Sequence, residues 1–168
     1  MDVSFEREDQ KDEWLTPPDI LAMLGDFDLD PCSPIGRPWD TAANHYTVAD
    51  DGFHKEWAGR VFCNPPYGTE TKKWLNKCAD HGDCVALVYA RTETKMFFES
   101  IWNKASAIFF FKGRLRFYSV DGIRGGTAGA PSVLIAYGKD NAEFLKNIGI
   151  AGCYIDLTDS VMTQKVAI

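Results

Sequence analysis

No stretch of the 168 residues approaches the roughly 20 consecutive apolar residues that a membrane helix requires. The opening segment, MDVSFEREDQKD, is polar and charged and lacks the pattern of a secretory signal, so a cytoplasmic protein is expected. Cysteine is sparse and poorly spaced for a metal. Cys32, Cys63, Cys78, Cys84 and Cys153 are odd in number, and no two stand at zinc-site spacing. They read as reduced thiols, with Cys63 and Cys84 inside apolar runs where a thiol packs as a small hydrophobe. His45, His54 and His81 are isolated, show no paired ligand spacing and read as surface residues; no metal site is expected. The chain also lacks a basic excess: 18 Lys and Arg against 24 Asp and Glu give a net charge of -6. Nucleic-acid proteins usually carry the opposite balance, so any phosphate contact here must come from a local cluster. No internal repeat is visible.

What is present suits one globular domain, with 45% hydrophobic and 25% charged residues. Residues 13–158 are expected to form it, between a polar tail at 1–12 and a second tail at 159–168. Thr16-Pro17-Pro18-Asp19 reads as a helix start, with Thr16 as N-cap, Pro17 at the first helical position and Asp19 completing a capping-box-like arrangement. Gly25 ends that helix, and Phe27-Asp28-Leu29-Asp30 alternates as a short strand does before turning at Pro31. From Ser33 to Trp57 the pattern is broken by Pro34, Gly36, Pro38, Asn44 and Gly52, and predicts a long loop with a helical turn.

Arg60 to Cys63 reads as a buried strand. A helix with Trp74, Leu75, Cys78 and Ala79 on its apolar side follows and closes at Gly82. Cys84 to Tyr89 is a continuous apolar strand. It leads to a helix of about ten residues that buries Met96, Phe97, Ile101 and Trp102, and then to an apolar strand from Ala107 to Phe111. Consecutive strand-helix-strand units with near-continuous apolar strands predict a doubly wound α/β domain, its mostly parallel sheet covered on both faces. Arg114 to Tyr118 alternates charged and apolar residues. With the apolar run Ser132 to Tyr137 it predicts antiparallel strands joined by a glycine-rich loop. A short helix near Glu143 to Ile148 and an edge strand from Cys153 to Leu157 complete the expectation.

Asn64-Pro65-Pro66-Tyr67, directly after a buried strand, carries the chemistry. Ligands of open α/β sheets bind beyond the carboxyl ends of the strands, which is where this turn falls. An exocyclic amine on a planar ring is a poor nucleophile because its lone pair is delocalised. Two acceptors that take both amine hydrogens favour a more tetrahedral nitrogen whose lone pair can point at an electrophilic methyl group. The Asn64 side-chain oxygen and the Pro65 carbonyl are the candidate acceptors, with Pro66 adding to the rigidity that holds them in place beforehand. Tyr67 offers a face for an extruded base, with stacking of this kind worth ~1–3 kcal/mol. A base inside a duplex cannot reach such a pocket, so a double-stranded substrate implies base flipping.

Taken in order, Trp14-Leu15-Thr16-Pro17, Phe27 to Cys32, Asp51-Gly52-Phe53 with Trp57 and Gly59, Phe62 to Gly68, Ala90-Arg91-Thr92 and Lys112 to Phe117 resemble the phage-type DNA adenine-N6 methyltransferases, compact enzymes of the Dam type. The resemblance implies a Rossmann-like methyltransferase fold, S-adenosylmethionine as cofactor, and transfer of its methyl group to N6 of adenine in DNA. It implies cofactor contacts from Trp14, Thr16, Pro17, Asp30, Pro31, Cys32, Asp51 and Phe53, with Asp30 accepting from the cofactor's ammonium group and Asp51 and Phe53 near its adenine. A solvated acidic turn is the competing reading of Asp50 and Asp51. It further implies double-stranded DNA as partner, a monomer or weak homodimer, and a phage-encoded protein in a bacterial cytoplasm.

The glycine-rich loop usual after the first strand of methyltransferases is absent, since Asp30 runs into Pro-Cys-Ser-Pro-Ile-Gly. The stretch from Asp30 to Phe62 is too short for a full second and third strand with helices, which predicts a sheet truncated on the cofactor side. Lys112, Arg114, Arg116 and Arg124 flank the glycine-rich segment 122–129 and are the first candidates for DNA phosphates, with Arg37 and Arg91 behind them. Arg114 and Arg116 are expected to share one strand face. Two other readings remain at this point: the same chemistry on an RNA base or a protein glutamine amide, and a non-catalytic binding module on a degenerate methyltransferase fold.

Overall fold

The computed structural model describes residues 13–163. The tail at 1–12 and the last residues of the tail at 159–168 lie outside them. Among the described residues no helix is long and apolar enough to cross a membrane.

The chain forms β1 (Trp14–Leu15), α1 (Pro18–Leu24), β2 (Leu29–Asp30), β3 (Asn44–His45), β4 (Val61–Cys63), α2 (Thr71–His81), β5 (Cys84–Tyr89), α3 (Lys95–Phe97, continued by a π turn over Phe98–Trp102), β6 (Ala107–Phe111), β7 (Tyr118–Ser119), β8 (Ser132–Tyr137), α4 (Lys139–Lys146) and β9 (Gly152–Asp156). Seven strands make one mixed sheet in the order β3-β2-β4-β5-β8-β6-β9, and β1 pairs with β7 in a separate two-stranded ribbon. The first four sheet strands are parallel; β8 runs antiparallel between β5 and β6, and β9 antiparallel to β6. This mixed α/β architecture with four helices is compatible with a methyltransferase-like fold.

Alternation along the central strands explains the three layers. Cys84, Ala86 and Val88 of β5 and Val133, Ile135 and Tyr137 of β8 face α2 and α3 in one apolar cluster. Val85, Leu87, Leu134 and Ala136 face α1 and α4 in the other. A side chain such as Leu87, fully buried here, contributes roughly 1.5–3 kcal/mol by leaving water. α2 buries Trp74, Leu75 and Cys78 and stops at Gly82, whose φ of 79° puts its N–H onto the Cys78 carbonyl.

Three expectations are corrected. Thr16 is not the N-cap of the first helix: that place falls to Pro17, with Pro18 first in the helix, and no side chain caps it. The predicted ten-residue helix after β5 is three α-helical residues followed by five in a π turn. The buried Tyr137 hydroxyl donates to the Ser100 carbonyl at 2.7 Å, occupying an acceptor of the regular ladder, while Lys104 and Ala105 both donate to Ile101. β8 lies between β5 and β6, which run parallel without pairing. Finally, residues 114–117 form no strand, and Tyr118–Ser119 pairs with β1 rather than with β8. The predicted loop after β2 contains β3, two residues long, and the parallel side of the sheet ends there.

Candidate active site

The carboxyl ends of β2, β4 and β5 open into a cavity of about 760 Å³, within the usual range for ligand clefts. Trp14, Thr16, Asp30, Pro31, Cys32, Asp51, Asn64, Pro65, Pro66 and Tyr67 all line it, so the structure brings together most of the residues singled out in the sequence.

β4 delivers Asn64 to the cavity floor, and the turn behind it is tied on every side. Asn64 Nδ2 donates to the Trp14 carbonyl at 3.4 Å and to the Thr16 hydroxyl at 3.3 Å. Both amide hydrogens are thereby used, and Oδ1 makes no hydrogen bond among the described residues. The Asn64 carbonyl accepts from the Cys32 thiol at 3.3 Å, and the Pro66 carbonyl from the Thr71 hydroxyl at 2.7 Å. The Pro65 carbonyl receives none among the described residues. Asn64 Oδ1 and the Pro65 carbonyl, both on cavity-lining residues, are thus left without a donor. Tyr67 donates its hydroxyl to the Leu87 carbonyl at 3.3 Å and packs its ring 4.5 Å from that of Tyr89, yet stays 40% exposed. Its hydroxyl is anchored and its ring remains available. Burial, with the neighbouring Tyr89, pushes that phenol far above the ordinary range, so it stays neutral.

The β2 side of the cavity carries charge. Asp30 is 4% exposed, accepts from Cys32 N at 3.1 Å and from the Thr41 hydroxyl, and lines the cavity. Burial pushes its pKa up to about 6 against the lowering effect of those hydrogen bonds and of Arg37. Asp51 also lines the cavity and has the left-handed φ of 54°, uncommon for a residue with a side chain; its carboxylate lies 2.7 Å from His54 Nδ1. With Glu13, the lining carries three carboxylates and neither Lys nor Arg. Such a lining attracts a cation.

Gly52 is dictated by proximity, since a Cβ there would lie 2.0 Å from the Pro31 carbonyl and 2.7 Å from Tyr46 Cβ. The contact fixes the loop after β2 against the turn at 47–54.

Several assignments change. Phe53 does not line the cavity; it packs edge-on against Trp74, ring centroids 5.5 Å apart, beneath the Lys73 and Lys77 ammonium groups. Pro17 is buried behind the wall, its carbonyl accepting from Leu21 N at 3.1 Å. His45 is no surface residue: its side chain is 8% exposed, and Nε2 accepts from Thr41 N at 3.2 Å and Ala42 N at 3.3 Å. Burial, with Arg37 nearby, lowers its pKa, which keeps it neutral and able to accept. His81 bonds the Gly59 carbonyl at 2.8 Å, and only His54 is broadly exposed. Cys32 and Cys63 approach to 3.7 Å between sulfurs, and their thiols are pushed well up, Cys32 first by the Cys63 hydrogen bond and Cys63 first by burial. Among the described residues no group of three metal-ligating side chains assembles.

Sequence reasoning missed Thr41, Thr47, Trp74, Tyr89, Phe117 and Thr127, all in the lining. Tyr89 had a usable signal, the end of a parallel strand; Thr127 had none.

The cationic candidates are scattered. Arg91 is exposed and donates its backbone N–H to the carbonyl of Tyr89, a cavity residue. Lys112 and Arg124 are exposed, Arg124 in a bridge opposite Tyr118. Arg37 turns back on its own loop, bonding Asp40 at 3.1 Å. Arg114 and Arg116 do not share a strand face, and both bond backbone carbonyls of segment 125–129.

Neither the curated proteins nor the solved structures searched contain a match to this chain. A family model described as DNA N-6-adenine-methyltransferase (Dam) does match, over residues 4–143. With most of its length covered by that match, the chain belongs to the DNA N-6-adenine-methyltransferase (Dam) family.

Proposed function

We propose that this protein transfers a methyl group from S-adenosylmethionine to N6 of an adenine turned out of double-stranded DNA. The observation that carries the reading is the fixed Asn64 amide. Its hydrogens are held by Trp14 and Thr16, leaving Oδ1 as an acceptor in the cavity beside the unengaged Pro65 carbonyl.

The lining fits the cofactor. Three carboxylates without a basic residue suit a ligand that carries ammonium and sulfonium charges, and the buried Asp30 carboxylate is a partner for the ammonium group. When bound, S-adenosylmethionine supplies an electrophilic methyl group. The chain's own residues do the rest. Asn64 Oδ1 and the Pro65 carbonyl accept the two amine hydrogens, and Tyr67 stacks on the base. The surplus proton leaves the amine to solvent after transfer, so no strong base is needed, consistent with a site without histidine in its lining. Arg91, Arg124 and Lys112 are the phosphate contacts on this reading, and Arg37 contributes its charge through the loop over Asp30.

Pure protein incubated with labelled cofactor and, separately, unmethylated DNA, RNA and a glutamine peptide tests the reading. Label in DNA alone is expected. Label in RNA or peptide but not in DNA contradicts it, and an absence of cofactor binding at millimolar concentration assigns the chain to the non-catalytic class.

A further inference from the structure

Arg114 and Arg116 stand beside a glycine-rich stretch, where the sequence suggests a phosphate-binding arm. Their guanidinium groups are engaged within the protein. Arg114 Nη1 donates to the carbonyls of Ala128 at 3.2 Å and Gly129 at 2.8 Å, and Arg116 Nε donates to that of Gly125 at 3.1 Å. Backbone bonds from Gly125 N to the Phe117 carbonyl and from Ala128 N to the Leu115 carbonyl lace the same two segments together.

The segment so held lines the cavity from Gly126 to Gly129. Its two ends locate it. At one end a Cβ on Gly125 would lie 2.9 Å from the Trp14 ring, and the Trp14 carbonyl is one of the two groups holding Asn64. Beyond the other end the Pro131 carbonyl accepts from Ala90 N, next to Tyr89, whose ring packs on Tyr67. The wall therefore runs along the acceptor residues of the cavity, between Trp14 and Tyr89. A stretch containing Gly125, Gly126 and Gly129 loses much conformational freedom when held in one shape, and charge-assisted bonds to its carbonyls offset that loss. Thr127 is the one residue of Gly126–Gly129 with a hydrogen-bonding side chain, and its hydroxyl has no partner among the described residues.

We propose that Arg114 and Arg116 are positioning residues that hold Gly125–Gly129 as the wall of the base half of the cavity, and that Thr127 is the hydrogen-bonding group this wall offers to the edge of the extruded base. The inference rests on the function proposed above. It removes two arginines from the phosphate-contact set and assigns them to the shape of the pocket.

Lysine separates the two roles, because it keeps the charge a phosphate senses but has no donor at the Arg114 Nη1 and Arg116 Nε positions from which these carbonyls are reached. The full-length protein, its R114K/R116K and R114Q/R116Q forms and Thr127→Val are compared by the salt dependence of DNA binding, cofactor affinity, methylation rate at saturating DNA, and fluorescence of 2-aminopurine placed at the mapped target. The wall predicts a rate about tenfold lower in both arginine pairs, with a weaker 2-aminopurine signal and unchanged salt slope and cofactor affinity. R114K/R116K at the wild-type rate, or a salt slope reduced by ~0.9 per lost contact in R114Q/R116Q, overturns it. Thr127→Val disturbs none of the arginine bonds and keeps the question open to measurement if those variants fold poorly; a rate about tenfold lower supports the wall, and the wild-type rate overturns it. A wild-type protein that methylates no DNA defeats the function reading itself; wild-type activity with indifferent variants defeats only this one.

Discussion

The two long walls of the cavity are built by different means. Asn64 to Tyr67 follows a fully buried strand, and its groups are secured by the Trp14 and Leu87 carbonyls, the Thr16 and Thr71 hydroxyls and the Cys32 thiol. Residues 31–59 contain only the two-residue β3, and side chains add to the few backbone bonds that hold them: Thr41 on Asp30, His45 on two backbone amides, Asp50 on Thr47, and the Trp57 indole on the Gly52 carbonyl at 2.9 Å. One wall presents fixed neutral acceptors and the other presents charge. A nitrogen that must be reshaped needs fixed geometry, whereas a cation is satisfied by a field. The second wall also has a cost, since a carboxylate kept out of water destabilises the fold that holds it.

The largest expected effect lies on the first wall. On the function proposed above, Asn64→Ala removes one of the two acceptors for the amine and should lower the methylation rate by roughly 10²–10³-fold, the scale seen when one preorganised hydrogen-bonding group is lost, with cofactor binding by calorimetry unchanged. Asp30→Asn strikes the second wall and should separate function from stability. Its pKa is raised to about 6 from 3.8, so ionised Asp30 costs stability above about pH 6, and the cost fades as pH falls toward 3.8. At pH 8 the Asn variant should therefore be more stable in denaturant melts by up to about 3 kcal/mol, while cofactor affinity drops by about tenfold or more. In the unsubstituted protein, cofactor affinity should weaken as pH falls through about 6, where Asp30 takes up its proton.

Smaller effects sharpen the contrast. Thr16→Val leaves one Asn64 amide hydrogen without an acceptor and should lower the rate at saturating substrate about tenfold, with the KM for DNA little changed. Arg91→Gln touches neither wall and should reduce the slope of log affinity against log salt by ~0.9 while leaving the rate at saturating DNA intact.

The two walls were also unequally legible in the sequence. β5 and β6 can be read to the residue because continuous apolar runs between turn signals leave one solution, and Asn64 to Tyr67 is legible because two prolines after such a run can only be a turn. The entry of β8 between β5 and β6 is invisible to periodicity, which reports burial and not neighbours. On the acidic wall, Asp30 is recognisable by its place at a strand end. Thr41 and His45 are not, because their bonds to Asp30 and to the 41–42 amides depend on how an aperiodic loop closes on itself. The same limit hid the work of Arg114 and Arg116: their charge is written in the sequence, while the carbonyls that take it appear only once residues 125–129 fold back over them.

The most direct measurement is mass spectrometry of nucleosides digested from DNA after incubation with S-adenosylmethionine and either the wild-type protein or Asn64→Ala. N6-methyladenine from the wild type, and essentially none from the variant at equal cofactor binding, is the predicted result. Methyl groups on cytosine instead of adenine, or undiminished N6-methyladenine from Asn64→Ala, would contradict the assignment of the Asn64 oxygen as the acceptor for an adenine amine.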